Sequence, residues 1–310
     1  MTRPISDWHG FLGQHQLIRA LRPIAEGAKA NGRAMPPTLF TGSSGNGKSY
    51  LANALATFFG THAHVLVARA DLKLGELLAF FRLAHAHDIL FVDEIHSLNL
   101  ALQEVLFGII DHGKLPADVL AVASTENQNL PPLHLLAATD RPGKLLTPLK
   151  SRFALTLQFG AYSSRELDAI TRQRATEFGM VLSPQAAKLL ARTSRGIPRL
   201  AGQRLRLLRD FYGTRPPSEF DLPTVRKFLK SLGVNDDGLT RSDRKYLEVA
   251  LEHGDSGISL RTLAARLEID GDSVFRDIEP FLMREGLVAI QPRGRVLTGA
   301  GAEYARSLKG

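Results

Sequence analysis

The stretch Gly42, Ser43, Ser44, Gly45, Asn46, Gly47, Lys48, Ser49 decides the fold of this 310-residue chain. It stands directly after an apolar, β-prone run, Thr38 to Thr41. It is followed by Leu51, Leu55, Phe58 and Phe59, whose i, i+4, i+7, i+8 spacing predicts an amphipathic helix opening at Gly47 or Lys48. Strand, glycine loop and helix in that order form the setting of a phosphate loop. Glycines let backbone N–H groups turn inward around phosphate oxygens without Cβ clashes, and the helix N-terminus adds the positive end of its dipole. Gly42, Gly45, Asn46 and Gly47 are therefore the expected cradle. Lys48 is the mobile charge that reaches β and γ phosphates, and Ser49 the hydroxyl that ligates Mg²⁺.

Working outward, further β-rich runs fall at His64 to Ala68, Ile89 to Val92, Leu133 to Ala138 and Leu155 to Phe159, alternating with helical patterns as a parallel sheet requires. The third of the five runs ends in two adjacent carboxylates, Asp93 and Glu94. Ligands of parallel sheets bind at that edge of the strands. Asp93 is read as a Mg²⁺ ligand through water, and Glu94 as the group that orients or deprotonates the attacking water. A helix-turn region covers Leu98 to Ile110, and a Pro-rich polar stretch from Pro116 to Pro132 reads as an inserted hairpin or loop.

After Phe159 the β pattern stops. Helical patterns at Arg165 to Phe178, Pro184 to Thr193, Pro198 to Phe211 and Leu222 to Leu232 imply an all-helical second domain. A short linker around Asn235 to Gly238 precedes helical segments at Arg241 to Glu252, Leu260 to Leu267 and Ser273 to Glu285. The remainder is a Gly-rich, β-like tail in which Val288 to Leu297 bends at Pro292, Arg293 and Gly294. Three helices and a hairpin are the winged form of helix-turn-helix. The division expected is 1–159, 160–235 and 236–310.

The formal net charge of +8 favours an anionic partner. The excess sits in residues 159–235, with 14 Lys plus Arg against 6 Asp plus Glu, whereas residues 236–310 are net acidic. The chain has no Cys, which excludes a disulfide framework and thiolate metal sites and fits a reducing cytoplasm. No stretch approaches the apolar length of a membrane span. His96, His112, His85 and His87 have no carboxylate or Cys at ligand spacing in the sequence, so surface or packing roles are expected and no metal site is assigned to them. Trp8 and Phe11 read as an adenine pocket wall or as plain core.

Asp93, Glu94, Ile95, His96 with Leu98 and Asn99 resembles a segment of the RuvB family, bacterial AAA+ motors of Holliday junctions. Arg3, Pro4 and Phe11, Leu12, Gly13, Gln14 are similar to that family's N-terminal nucleotide-cradling stretch. Ala138, Thr139 with Arg141 and Gly143 to Leu149 resembles its sensor 1 region, and Ser151, Arg152, Phe153 its arginine-finger motif. Ser194 to Arg199 resembles its sensor 2 segment, and Pro292, Arg293, Gly294, Arg295 the tip of its DNA-contacting wing. The resemblance covers nearly the whole chain. It implies an AAA+ α/β subdomain, an all-helical lid and a C-terminal winged helix, acting as a hexameric ATPase that translocates duplex DNA and drives branch migration. Arg152 would then reach the neighbouring subunit's γ phosphate, Arg199 would sense nucleotide from its own subunit, Arg3, Phe11 and Leu12 would line the nucleotide, and Arg293 and Arg295 would hold DNA backbone.

Two departures from the family pattern stand out. Asp140 occupies the sensor 1 polar position, where the family carries a neutral residue, and places a negative charge near phosphate oxygens. Either Thr139 serves there while Asp140 points away, or Asp140 holds a water or Arg141. The Pro116 to Pro132 insert corresponds to the hairpin by which RuvB grips RuvA, yet Ser124 to Gln128 shares no recognisable residues with it. A slow-hydrolysing AAA+ switch of clamp-loader or initiator type is the alternative expectation. An ATP-gated transcription regulator is disfavoured because Ser273 to Glu285 carries two Arg against three acids.

Overall fold

The computed structural model describes residues 7–115, 129–213 and 216–308. The chain divides into two compact units. The first runs to Ile170 and takes in Ile197–Arg199; the second holds Thr171–Gly196 and everything from Leu200 onward.

A hairpin of β1 (Asp7–Trp8) and β2 (Phe11–Leu12) opens the first unit. Five parallel strands follow: β3 (Thr38–Thr41), β4 (Ala63–Val67), β5 (Ile89–Asp93), β6 (His134–Thr139) and β7 (Leu155–Gln158), in the spatial order β4-β5-β6-β3-β7. Both faces of the central strands are covered, which explains why β3, β5 and β6 read as unbroken apolar runs rather than alternating ones. Leu39, Leu90, Val92 and Ala137 pack on one side with Leu102 and Leu106. Phe40, Phe91, Leu136 and Ala138 pack on the other with Leu21, Leu51 and Leu55. Because β3 lies between β6 and β7, the chain reverses its winding there, and the carboxyl ends of β3, β5 and β6 open onto one crevice.

Each predicted strand forms within a residue of its expected limits. The single helix-turn expected over Leu98 to Ile110 is a 3₁₀ turn, Ile95–Ser97, then a helix, Leu100–His112, capped by Asn99, whose Oδ1 accepts from the Leu102 N–H at 3.0 Å. Helices His15–Ala30 and Leu74–Arg82 were not anticipated. Residues 116–128 of the expected insert lie outside the described residues. Its base is an antiparallel bridge between Lys114 and Asn129, with the Leu130 N–H donating to Gly113 O at 3.0 Å.

In the second unit the lid helices Pro184–Thr193, Pro198–Tyr212 and Leu222–Ser231 form close to their predicted limits. The winged domain follows, with helices Arg241–His253 and Leu260–Leu267, and its hairpin of β8 (Val288–Gln291) and β9 (Gly294–Leu297). Two expectations there are corrected. Ser273 to Glu285 is not one α-helix but a π turn, Val274–Ile278, leading into a short helix, Glu279–Arg284. Pro280 cannot donate to the carbonyl one turn back and its ring crowds it, so the ladder widens, and the Glu279 N–H reaches Val274 O instead. The expected β-like tail ends in a helix, Gly299–Ser307, capped by Thr298, whose Oγ1 accepts from the Gly301 N–H at 2.9 Å. Gly301 is required because a Cβ there would collide with Leu287 O.

Lid and winged domain meet at Arg195, a non-glycine residue held at φ 55°. Its guanidinium pairs with the fully buried Asp243, donates to Gly238 O at 3.0 Å and lies 4.5 Å over the Phe281 ring, while its carbonyl accepts from Arg284 at 2.8 Å.

Candidate nucleotide site and winged surface

The loop after β3 has the geometry its sequence requires. Gly42, Gly45 and Gly47 all have positive φ, at 133°, 85° and 93°. A Cβ on Gly45 would stand 2.9 Å from Arg199 Cβ and from Ile197, and one on Gly47 3.1 Å from the Tyr162 hydroxyl and 3.3 Å from the Phe11 ring. No side chain caps the helix Lys48–Phe59, so its first N–H groups point into the loop. Asn46 braces this arrangement: its Nδ2 donates to Gly160 O at 3.1 Å and its carbonyl accepts from Tyr162 at 3.1 Å.

Lys48 is buried, and its ammonium donates to Gly42 O at 2.6 Å and Ser43 O at 3.0 Å. Burial lowers its pKa, while Glu94, Asp93 and Asp140 pull in the opposite direction. Neutral carbonyls are weaker partners for an ammonium than phosphate oxygens, so the loop holds the charge ready for an anion. Ser49 Oγ donates to Asp93 Oδ2 at 2.9 Å, which brings one hydroxyl and one carboxylate together as an oxygen donor pair suited to Mg²⁺.

Glu94 sits at φ 52°, turning the chain sharply out of β5, and its N–H donates to Asp93 Oδ1 at 3.0 Å. The following 3₁₀ turn carries His96 across the end of β6. There its Nδ1 stands 3.1 Å from Thr139 Oγ1, 3.4 Å from Glu94 Oε2 and 3.6 Å from Asp140 Oδ1. Thr139 accepts from the Arg141 N–H at 2.9 Å. Glu94 Oε2 and Asp140 Oδ1 are buried without hydrogen-bond partners. Burial first, then the charges of Asp140 and Asp93, raise the Glu94 carboxyl above its ordinary range. Both Thr139 and Asp140 therefore face this cluster.

Arg199 meets the phosphate loop directly: its Nη1 donates to Ser44 Oγ at 2.8 Å and its N–H to Gly45 O at 3.3 Å. Arg152, at the end of the helix Thr147–Arg152, is paired with Asp111 at 2.8 Å and lies 4.8 Å over the Phe107 ring. Phe11 is core and supports Gly47 from beneath, Leu12 pairs with Asp7 in the hairpin, and Trp8 is likewise buried. Arg3 lies outside the described residues.

The wing corrects one expectation. Arg295 does not extend from the turn: its Nε donates to Glu279 Oε1 at 2.8 Å and its Nη2 to Oε2 at 3.3 Å, with 15% of the Arg side chain and 1% of the Glu side chain exposed. Tyr246 adds a hydroxyl to the same carboxylate at 3.3 Å. Arg293, in the two-residue turn between β8 and β9, is exposed. Sequence reasoning missed Tyr162, Asp111, Asp243 and Glu279, which lie between 16 and 116 residues from the groups they hold, where no local spacing announces them.

Strand order, phosphate loop and paired carboxylates define a P-loop nucleotide-binding protein of the AAA+ class. Comparison with known families narrows this. Residues 2–159 match the Holliday junction DNA helicase RuvB P-loop domain, 162–235 the RuvB AAA lid domain and 236–306 the RuvB C-terminal winged helix domain. The chain belongs to the RuvB family. It is 35% identical to the Holliday junction branch migration complex subunit RuvB of Paramagnetospirillum magneticum, over 95% of this chain and 86% of that one. It is 36% identical to that of Paracoccus denitrificans, over 94% and 86%. The solved Thermotoga maritima RuvB Holliday junction branch migration motor superposes with a TM-score of 0.79 at 31% identity, covering 96% of each chain. Among the described residues no helix is long and apolar enough to cross a membrane.

Proposed function

We propose that this protein is an ATP-driven DNA motor that translocates duplex DNA and promotes branch migration of Holliday junctions. The observation that carries this reading is the convergence of Lys48, the Ser49–Asp93 pair, Glu94 and Arg199 on one loop, in a chain that also bears a lid and a winged helix. Lys48 and the loop N–H groups bind the phosphates of ATP. Ser49 and Asp93 hold Mg²⁺, which when bound supplies Lewis-acid polarisation of phosphoryl oxygens. Glu94 orients the attacking water and accepts its proton, and Arg199 ties the loop to the start of a lid helix. Arg152 serves a neighbouring copy in a ring of six, leaving Asp111 to do so. Arg293 rather than Arg295 makes the wing's phosphate contact. The working division remains 1–159, 160–235 and 236–310, in a cytoplasmic protein.

The test is ATP-dependent dissociation of a synthetic four-way junction, run with and without a RuvA protein, beside ATPase rates on linear duplex. Dissociation supports the motor, and a requirement for RuvA would restore the partner that the insert's sequence leaves unsupported. One observation favours a second reading. The Asp140 carboxylate faces Glu94, where added negative charge opposes a developing phosphate anion. Tight ATP binding and DNA loading with neither turnover nor junction dissociation would identify a switch.

A further inference from the structure

The loop-end cluster at β5 and β6 has a chemistry of its own. His96 is a soft nitrogen donor among hard oxygens, and its Nδ1 is 3.4 Å from Glu94 Oε2 and 3.6 Å from Asp140 Oδ1, all three donors lying within 4.8 Å of one another. A tetrahedral ion bound at about 2.0 to 2.2 Å holds neighbouring donors roughly 3.3 to 3.5 Å apart, so the two His–carboxylate separations are nearly those of a formed site. Both carboxylate oxygens are buried and have no hydrogen-bond partner, which in a native interior calls for an explanation. Arg141 Nε, at 3.8 Å from Asp140 Oδ1, is beyond hydrogen-bond reach and leaves that oxygen's lone pairs uncommitted. Thr139 Oγ1, itself fixed by the Arg141 N–H, lies 3.1 Å from the same Nδ1, so a bound ion replaces that hydrogen bond rather than adding to it.

We infer that Glu94, His96 and Asp140 form a binding site for a transition-metal dication of the Zn²⁺ type, separate from the Mg²⁺ position at Ser49 and Asp93. An imidazole with two carboxylates selects zinc over magnesium, which prefers an all-oxygen octahedral shell and keeps its waters. A fourth position remains for water. Occupancy engages the Glu94 carboxylate and withdraws it from the hydrolytic water, so the ion inhibits ATP hydrolysis. That consequence rests on the reading of Glu94 as the base, whereas the binding itself does not. Asp140 is the deciding ligand, since it reaches the other two across the sheet from β6.

The experiment titrates the full, tag-free, nucleotide-free protein with Co²⁺, a visible surrogate for Zn²⁺, in excess Mg²⁺. The expected result is one equivalent bound per chain, with an intense visible absorption of tetrahedral type that stoichiometric Zn²⁺ abolishes. Asp140→Asn and His96→Gln each remove a direct ligand and should weaken binding by more than the tenfold to hundredfold typical of losing an outer-sphere contact. His85→Ala, which alters a separate histidine beside Asp88, should leave it unchanged. Zn²⁺ should also raise the thermal midpoint of the parent protein and not of the two ligand variants, which separates lost binding from lost folding. Absence of the absorption, or its persistence at full strength in folded Asp140→Asn, overturns the site. Metal binding that leaves ATP hydrolysis unimpaired would keep the site and count instead against Glu94 as the base.

Discussion

The crevice above β3, β5 and β6 and the wing between β8 and β9 look alike in sequence, each a turn with glycine beside charged residues, yet they use charge in opposite ways. In the crevice the charged groups are incompletely matched. Lys48 rests on neutral carbonyls, and buried oxygens of Glu94 and Asp140 have no hydrogen-bond partner. In the wing Arg295 is bound at both ends of its guanidinium by a buried carboxylate that Tyr246 also holds. Groups without a strong internal partner are the ones to which the proposed function assigns a ligand, whereas completed pairs hold the fold. A basic residue beside glycine therefore signals function only when the rest of the chain has not already answered its charge.

This contrast can be broken at four places. The largest effect is expected at Arg152. If it acts on a neighbouring copy, Arg152→Ala should lower hydrolysis by about 10³ to 10⁵, and mixing that protein with Glu94→Gln should restore part of the activity at interfaces that pair two intact halves. Normal turnover in Arg152→Ala would leave Asp111 as the residue's whole purpose and move it to the structural side of the comparison. Next, Glu94→Gln should retain ATP binding and lose roughly 10² to 10⁴ in rate, with little change in unfolding midpoint because no hydrogen bond to Oε2 is lost.

At Arg295 the expected loss is in stability rather than rate. Removing one partner of a buried ion pair costs about 3 to 5 kcal/mol, so Arg295→Ala should show a markedly lower denaturant midpoint with nucleotide affinity intact. A midpoint like that of the parent would mean the pair is dispensable and return Arg295 to the DNA surface. The smallest effect belongs to Arg293→Ala. It should leave stability and ATPase unchanged, weaken binding about equally on unrelated duplexes, and reduce the slope of log K against log salt by roughly 0.9 for its one phosphate contact. An unaltered salt slope would place the grip elsewhere, on the arginine-rich helix that begins at Pro198.

Legibility follows the same division. The phosphate loop, the strands and the acids at the end of β5 were readable because each is a local pattern, and the periodicity of the lid helices fixed their limits almost to the residue. What escaped depends on contacts distant in sequence. The terminal helix was hidden because Gly299 and Gly301 are poor helix formers, and Gly301 is there only so that the helix can approach the backbone of Leu287. The π turn was hidden because Pro280 disrupts a helix without ending it. His96 was given no ligand role because, besides Glu94 two residues before it, the groups around it are Thr139 and Asp140 at the end of β6, more than 40 residues on.

Arg195 has a consequence for the modularity of this chain. A winged helix is commonly regarded as an interchangeable attachment, yet here its first helix supplies the acid, and the short helix Glu279–Arg284 an aromatic ring, that neutralise and cover a cation belonging to the lid. A graft bringing a foreign winged domain without an acid at position 243 would leave an unanswered guanidinium at the seam. The two domains are therefore coupled through this pair, and an exchange of winged domains should preserve the join only where Arg195 and Asp243 are kept together.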